Sequence, residues 1–221
     1  MKITASIFVI MFTISCAFSQ DKMIVDKPGG FPFYDGYTKE ITSFNQLPSE
    51  IKTNTLSLLK KFLGDFNSNT HFIYGQMVNL KRHFDPKDSS KVNPAIPKYE
   101  LEFIFTDPSI GVKSYPIEVR LNENGRPLKV TWPTEGYTYK SKFLPRDSIL
   151  KVALGLAIEN NFNQKNYEVD FTYDESKQKF FWIFLFPIEH NNNFRRYDSV
   201  EINWADLKDF EISQITKTTV Q

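Results

Sequence analysis

Leu47-Pro48-Ser49-Glu50-Ile51 returns later in the chain as Leu144-Pro145-Arg146-Asp147-Ser148-Ile149. Both stretches read as helix starts. Proline suits the first helical position, because the N–H it lacks has no helical partner there in any residue. Glu50 and Asp147 fall in the first turn, where the helix dipole favours an acid. Behind the first start, Ile51, Leu58, Leu59, Phe62 and Phe66 recur at helical spacing. Gly64 and Asn67-Ser68-Asn69 then stop the run. Behind the second start the helix runs to about Asn160.

Strand patterns follow each helix. In the first half they are Phe72 to Leu80, then Tyr99 to Phe105, then Ile117, Val119 and Leu121 alternating with Glu118, Arg120 and Asn122. A polar loop from Asp85 to Pro97 interrupts them. Asn124-Gly125 is a hairpin signal, and Leu128 to Trp132 returns from it. In the second half Tyr167, Val169, Phe171 and Tyr173 alternate with Glu168, Asp170 and Thr172. Lys179 to Ile188 is the next strand, and Asn191-Asn192-Asn193 reads as its hairpin loop. Tyr197, Val200, Ile202 and Trp204 match Tyr115, Ile117, Val119 and Leu121, and Phe210 and Ile212 close the set as Leu128 and Val130 do.

The fold class expected is therefore α+β: two tandem helix-plus-antiparallel-sheet units packed into one compact body. The units span residues 47–135 and 144–221. A lead segment, 20–46, precedes them, broken by Lys27-Pro28-Gly29-Gly30-Phe31-Pro32 and pinned by Phe31, Phe33, Tyr34 and Tyr37. One strand stands apart. Phe180-Phe181-Trp182-Ile183-Phe184-Leu185-Phe186 is apolar on both faces, so both need cover. The other unit is the expected cover. An interaction surface carried by Phe180, Trp182, Phe184 and Phe186 is the alternative.

Residues 1–19 read as an export signal. Lys2 is the positive end, Ile3 to Ser15 is uncharged and apolar, and Ala17-Phe18-Ser19 places small residues before a cut near Ser19-Gln20. The expected location is outside the cytosol: periplasm, cell surface or secreted. The sole cysteine is Cys16, which leaves with the peptide. Membrane association would follow only from lipidation at Cys16, where Thr13-Ile14-Ser15-Cys16 is a partial lipobox. Without Lys2, the 27 basic residues become 26 against 26 acids. That balance argues against nucleic acid as a partner.

The Leu-Pro-x-acid start, a helix of about four turns and strands ending in an Asn-Gly turn resemble the PepSY-like group of exported bacterial domains, which includes domains similar to a β-lactamase inhibitor. The residues are Leu47, Pro48, Glu50, Ile51 and Asn122 to Val130, then Leu144, Pro145, Asp147 and Ile149. The second unit has Asp206-Leu207-Lys208 in place of the glycine turn. The resemblance implies a non-catalytic binding or inhibitory module on an α+β scaffold. It assigns no functional residues.

Chemistry-bearing patterns are sparse. The sequence has no Gly-x-Ser-x-Gly, no His-Glu-x-x-His and no glycine-rich phosphate loop. His71, His83 and His190 stand apart from one another. His83 with Asp85 and Asp88 is the acid–base or metal candidate. Glu100 and Glu102 share one strand face, read as solvated, opposite Tyr99, Leu101 and Phe103. Lys60-Lys61 and Arg195-Arg196 read as exposed surface. The expectation is an exported non-enzymatic binding or inhibitory protein with an unknown protein or peptide partner, no cofactor, and a monomeric or weakly dimeric state. Two alternatives stand beside it. One is a small hydrolase or ligand carrier with His83 or Glu100 and Glu102 in a cleft between the units. The other is a structural component of an envelope assembly.

Overall fold

The computed structural model describes residues 38–79, 97–190 and 194–218. The export signal, the aromatic pins of the lead segment, the His83–Asp85–Asp88 candidate and the Asn191–Asn193 loop lie outside the described residues.

Helix α1 (Ser49–Leu63) buries Ile51, Thr55, Leu59 and Leu63, one stripe at four-residue spacing. Helix α2 (Arg146–Glu159) buries Ile149, Leu150, Ala153 and Ala157. The two prolines do not sit at the first helical position. Each stands one residue earlier, as the cap, with φ/ψ of −54°/145° at Pro48 and −59°/146° at Pro145. Their extended ψ aims the carbonyl at the first free N–H groups: Pro48 O accepts from Lys52 N at 3.0 Å. A short 3-10 turn precedes each cap, Phe44–Gln46 and Lys140–Lys142.

Five strands follow in the first sheet, in the order β1-β2-β3-β4-β5. They are β1 (Thr38–Ile41), β2 (Thr70–Val78), β3 (Tyr99–Asp107), β4 (Val112–Leu121) and β5 (Pro127–Val130). The second sheet is β6-β7-β8-β9. Its strands are β6 (Glu168–Asp174), β7 (Lys179–His190), β8 (Phe194–Asn203) and β9 (Asp206–Thr218). Every pairing in both sheets is antiparallel. The architecture is mixed α+β and strand-dominated. Two further details differ from the sequence reading. β1 falls within the lead segment, and it is only four residues long. Asp206-Leu207-Lys208 is not a turn but the start of β9, because Asn203 side-chain Oδ1 already closes the bend by accepting from Ala205 N at 2.8 Å.

One apolar cluster joins both sheets and both helices. Its centre is aromatic. The Phe180 ring lies 4.9 Å from Trp132, 5.0 Å from Tyr115 and 4.8 Å from Phe171, on which it stacks at 8°. Trp204 touches Phe66, Phe143, Tyr137 and Phe171. The segment between the sheets is tied down at three points. Thr138 O accepts from Asp65 N at 2.9 Å. Lys140 Nζ reaches buried Asp107 Oδ2 at 2.6 Å and Asn69 Oδ1 at 2.8 Å. Tyr137 Oη accepts from Phe180 N at 3.1 Å. Burial pushes the Asp107 carboxyl upward, but the bonds from Lys140 and Ser109 outweigh it and hold the group below its ordinary range.

Phe180, Trp182, Phe184 and Phe186 are fully buried in that cluster. They are core, and the alternative of an exposed interaction surface is corrected: the first sheet, the linker and α2 cover them. On the opposite face of β7, Phe181 and Leu185 are buried too, and here the cover is charged side chains. Lys177 Nζ lies 4.9 Å from the Phe181 ring centre. Lys217 of β9 bonds Asp170 of β6 at 2.9 Å, across the two intervening strands. Asp170 is in register with Ile183, Glu201 and Glu211 in turn, and Lys217 lies further along β9. A flat sheet would hold the two backbones about 24 Å apart. The second sheet is therefore curled, with this face concave.

Candidate functional site: the carboxylate face of the first sheet

Strand alternation puts Leu101, Phe103 and Phe105 of β3 in the core and Glu100 and Glu102 on the other face. Registers then assemble that face. Gln76, Glu100, Arg120 and Lys129 form one row across β2 to β5. Tyr74, Glu102 and Glu118 form the next. The expected sharing of a face by Glu100 and Glu102 is what the structure has, but the face is not solvated at these positions. Glu100 is 2% exposed and Glu102 7%. Neither points toward the space between the two sheets, which aromatic rings fill.

The two carboxyls differ in their partners. Gln76 Nε2 donates to Glu100 Oε2. Arg120 Nε lies 3.5 Å from Glu100 Oε1 and 2.5 Å from Glu118 Oε1. Lys129 extends the chain of contacts to Glu118 at 3.7 Å and to Glu175, beyond β6, at 3.6 Å. Glu102 is outside this network. It stands directly opposite Glu118 on β4, and its Oε1 is buried with no hydrogen-bond partner among the described residues. Burial, and secondarily the Glu118 charge, push the Glu102 carboxyl above its ordinary range. Burial also raises Glu100, against the pull of Gln76 and Arg120. Tyr74 lines the same row, its hydroxyl raised first by burial and then by Glu40.

The sign of the linkage is definite. A carboxyl whose folded pKa exceeds its unfolded value costs stability once it ionises, and the cost grows as pH rises through the folded value. Glu102→Gln is therefore expected to stabilise the protein at neutral pH by up to about 1 kcal/mol, the scale of a like-charge cross-strand pair. The gain should vanish below the ordinary carboxylate range. Urea unfolding of both proteins from pH 3 to pH 8 checks this.

Other candidates are dispersed. His71 is the second residue of β2, exposed and opposite Ile104. His190 is the exposed last residue of β7. No group of three histidine, aspartate, glutamate or cysteine side chains is arranged to hold a metal ion among the described residues. Arg195 and Arg196 pair with Glu168 and Glu189. No helix among the described residues is long and apolar enough to cross a membrane. The Glu102–Glu118 opposition could have been found in the sequence only by fixing the β3–β4 register, which the Asn124-Gly125 turn does not reach. Comparison with protein-family models, curated proteins and solved structures finds no match to this chain.

Proposed function

We propose that this chain is an exported, non-enzymatic binding protein whose recognition surface is the carboxylate face of the first sheet. The observation that carries it is Glu102: a buried carboxyl oxygen with no donor among the described residues, beside a second carboxylate, on a face where Glu100 and Glu118 each have a cation or amide. A buried acceptor left unpaired costs free energy that a donor from a partner would recover. The matching chemistry is a cationic group, a lysine or arginine side chain of a protein or peptide. Half-buried Tyr74, Glu118 and Arg120 would flank it.

The same proposal takes the fold as a tandem duplication, residues 47–135 and 144–221, related to the PepSY-like group. Its support is the repeated order of parts. Each half runs 3-10 turn, proline cap, helix and four-strand antiparallel meander, and the two caps share one backbone conformation. Export by residues 1–19 belongs to the same reading and rests on their pattern.

Calorimetric titration with a pentalysine peptide at low salt tests the surface. Saturable binding is expected, weakened about tenfold or more in Glu102→Gln, the scale of one charge-assisted hydrogen bond. Absence of binding, or equal binding by the variant, would overturn the assignment.

A further inference from the structure

Among the described residues β9 is the longest strand, 13 residues, and it pairs with β8 on one side only. The other edges are shorter: four residues each for β1 and β5, the latter starting at Pro127, and seven for β6. Short edges and prolines are ordinary defences against strand addition. β9 has no proline within it. Its residues opposite the core positions Val200 and Ile202 are Ile212 and Phe210. Those two apolar side chains continue the core face yet stay 37% and 44% exposed.

The edge is also complementary to itself. Let two copies of β9 run antiparallel about a two-fold axis at Ser213. Asp209 of each copy, held within its own chain by Lys179 at 2.8 Å and Asn203 at 2.7 Å, then faces Lys217 of the other, which bonds Asp170 of its own chain, so that two opposite charges meet on one face. On the other face Ile212 falls diagonally across from its own symmetry mate, within side-chain reach. Moving the axis to the bond between Ile212 and Ser213 would oppose side chains of different faces, which the pleat forbids. Moving it to Gln214 sets Glu211 against Lys217 but carries Ile212 away from its mate. Moving it to Ile212 leaves Asp209 opposite Ile215 and no charge pair. The register about Ser213 overlaps residues 208–218, about 35 Å of strand.

We infer that β9 is the docking edge for a second copy of this chain, antiparallel and centred on Ser213. The contact joins two four-stranded sheets into one continuous sheet. It is isologous, so it closes at two copies. It is independent of the carboxylate face and stands whether or not that face binds cations.

Sedimentation velocity of the purified protein, from micromolar to about 1 mM, where even a weak contact of about −4 kcal/mol half-populates, reads the result. A monomer–dimer equilibrium is expected. Ile212→Lys, at a position already part-exposed, should weaken it at least tenfold while circular dichroism stays unchanged. A monomer throughout, growth beyond dimer, or a dimer indifferent to Ile212→Lys would overturn the inference.

Discussion

Phe180→Ala is expected to lower stability by about 3–5 kcal/mol, the range for truncating a buried phenylalanine. Domains of this size have about 5–15 kcal/mol in all, so a fifth or more of the margin goes with one side chain. The cost lies at the high end because the site cannot close. Phe180 is ringed by Trp132, Tyr115, Tyr137, Phe171, Tyr173 and Trp204. Those rings come from both sheets and the linker, and no one element can move inward without dragging the others. The melting temperature should drop by roughly 6–20 °C at 2–4 °C per kcal/mol. Phe210→Ala is the control. Phe210 is of the same residue type but 44% exposed at a sheet edge, and its loss should cost about 1 kcal/mol or less. Equal melting shifts for the two variants would mean that the aromatic junction does not hold the sheets together.

Much of this fold was legible because alternation and helical spacing are local. Ile117-Val119-Leu121 and Val169-Phe171-Tyr173 mark faces from their own sequence. The two helices were announced by their Leu-Pro starts, one residue later than read, since a proline carbonyl in extended geometry caps as well as a proline ring begins. What alternation does not encode is cover. Glu100 and Glu102 are correctly placed opposite the core, yet they are buried, because burial on that face depends on how five strands bring Gln76, Arg120 and Tyr74 over them. Phe181 and Leu185 pose the same problem in reverse. Their two-faced apolar pattern asks for a partner, and the partner is Lys177 and the Lys217–Asp170 bridge, joined only once the sheet curls. Curl is a tertiary quantity, set by the accumulated twist of paired strands. β1 escaped notice because four residues with a single buried side chain carry too little pattern to separate from a loop.

Gly64→Ala is expected to be comparably severe, because its backbone conformation and the space beside it both exclude a side chain. Gly64 ends α1 at φ 54°, ψ −120°, a backbone region open to glycine and strained for any L side chain. That strain alone is worth about 1–3 kcal/mol. A Cβ here would also meet Thr138 O at 2.3 Å and Thr138 Cα at 2.8 Å. These are backbone atoms of the linker, fixed by Asp65 N and by Lys140, so they cannot swing aside as a long side chain would. Relieving the clash means lifting Thr138, which breaks its bond from Asp65 and pulls on the pair that part-exposed Lys140 makes with buried Asp107. That pair cannot be loosened cheaply, since a buried charge stripped of its partner is strongly destabilising. Gly136 separates the two effects. It too has positive φ, 80°, but a Cβ there meets nothing within 4 Å. Gly136→Ala should therefore cost only the conformational strain, about 1–2 kcal/mol, while Gly64→Ala should exceed it by at least about 2 kcal/mol, the scale on which overpacking a fixed site is felt. Denaturant midpoints of the two variants decide the matter. If they coincide, the linker yields freely at Thr138, and its docking on the first sheet contributes little to joining the two halves of the chain.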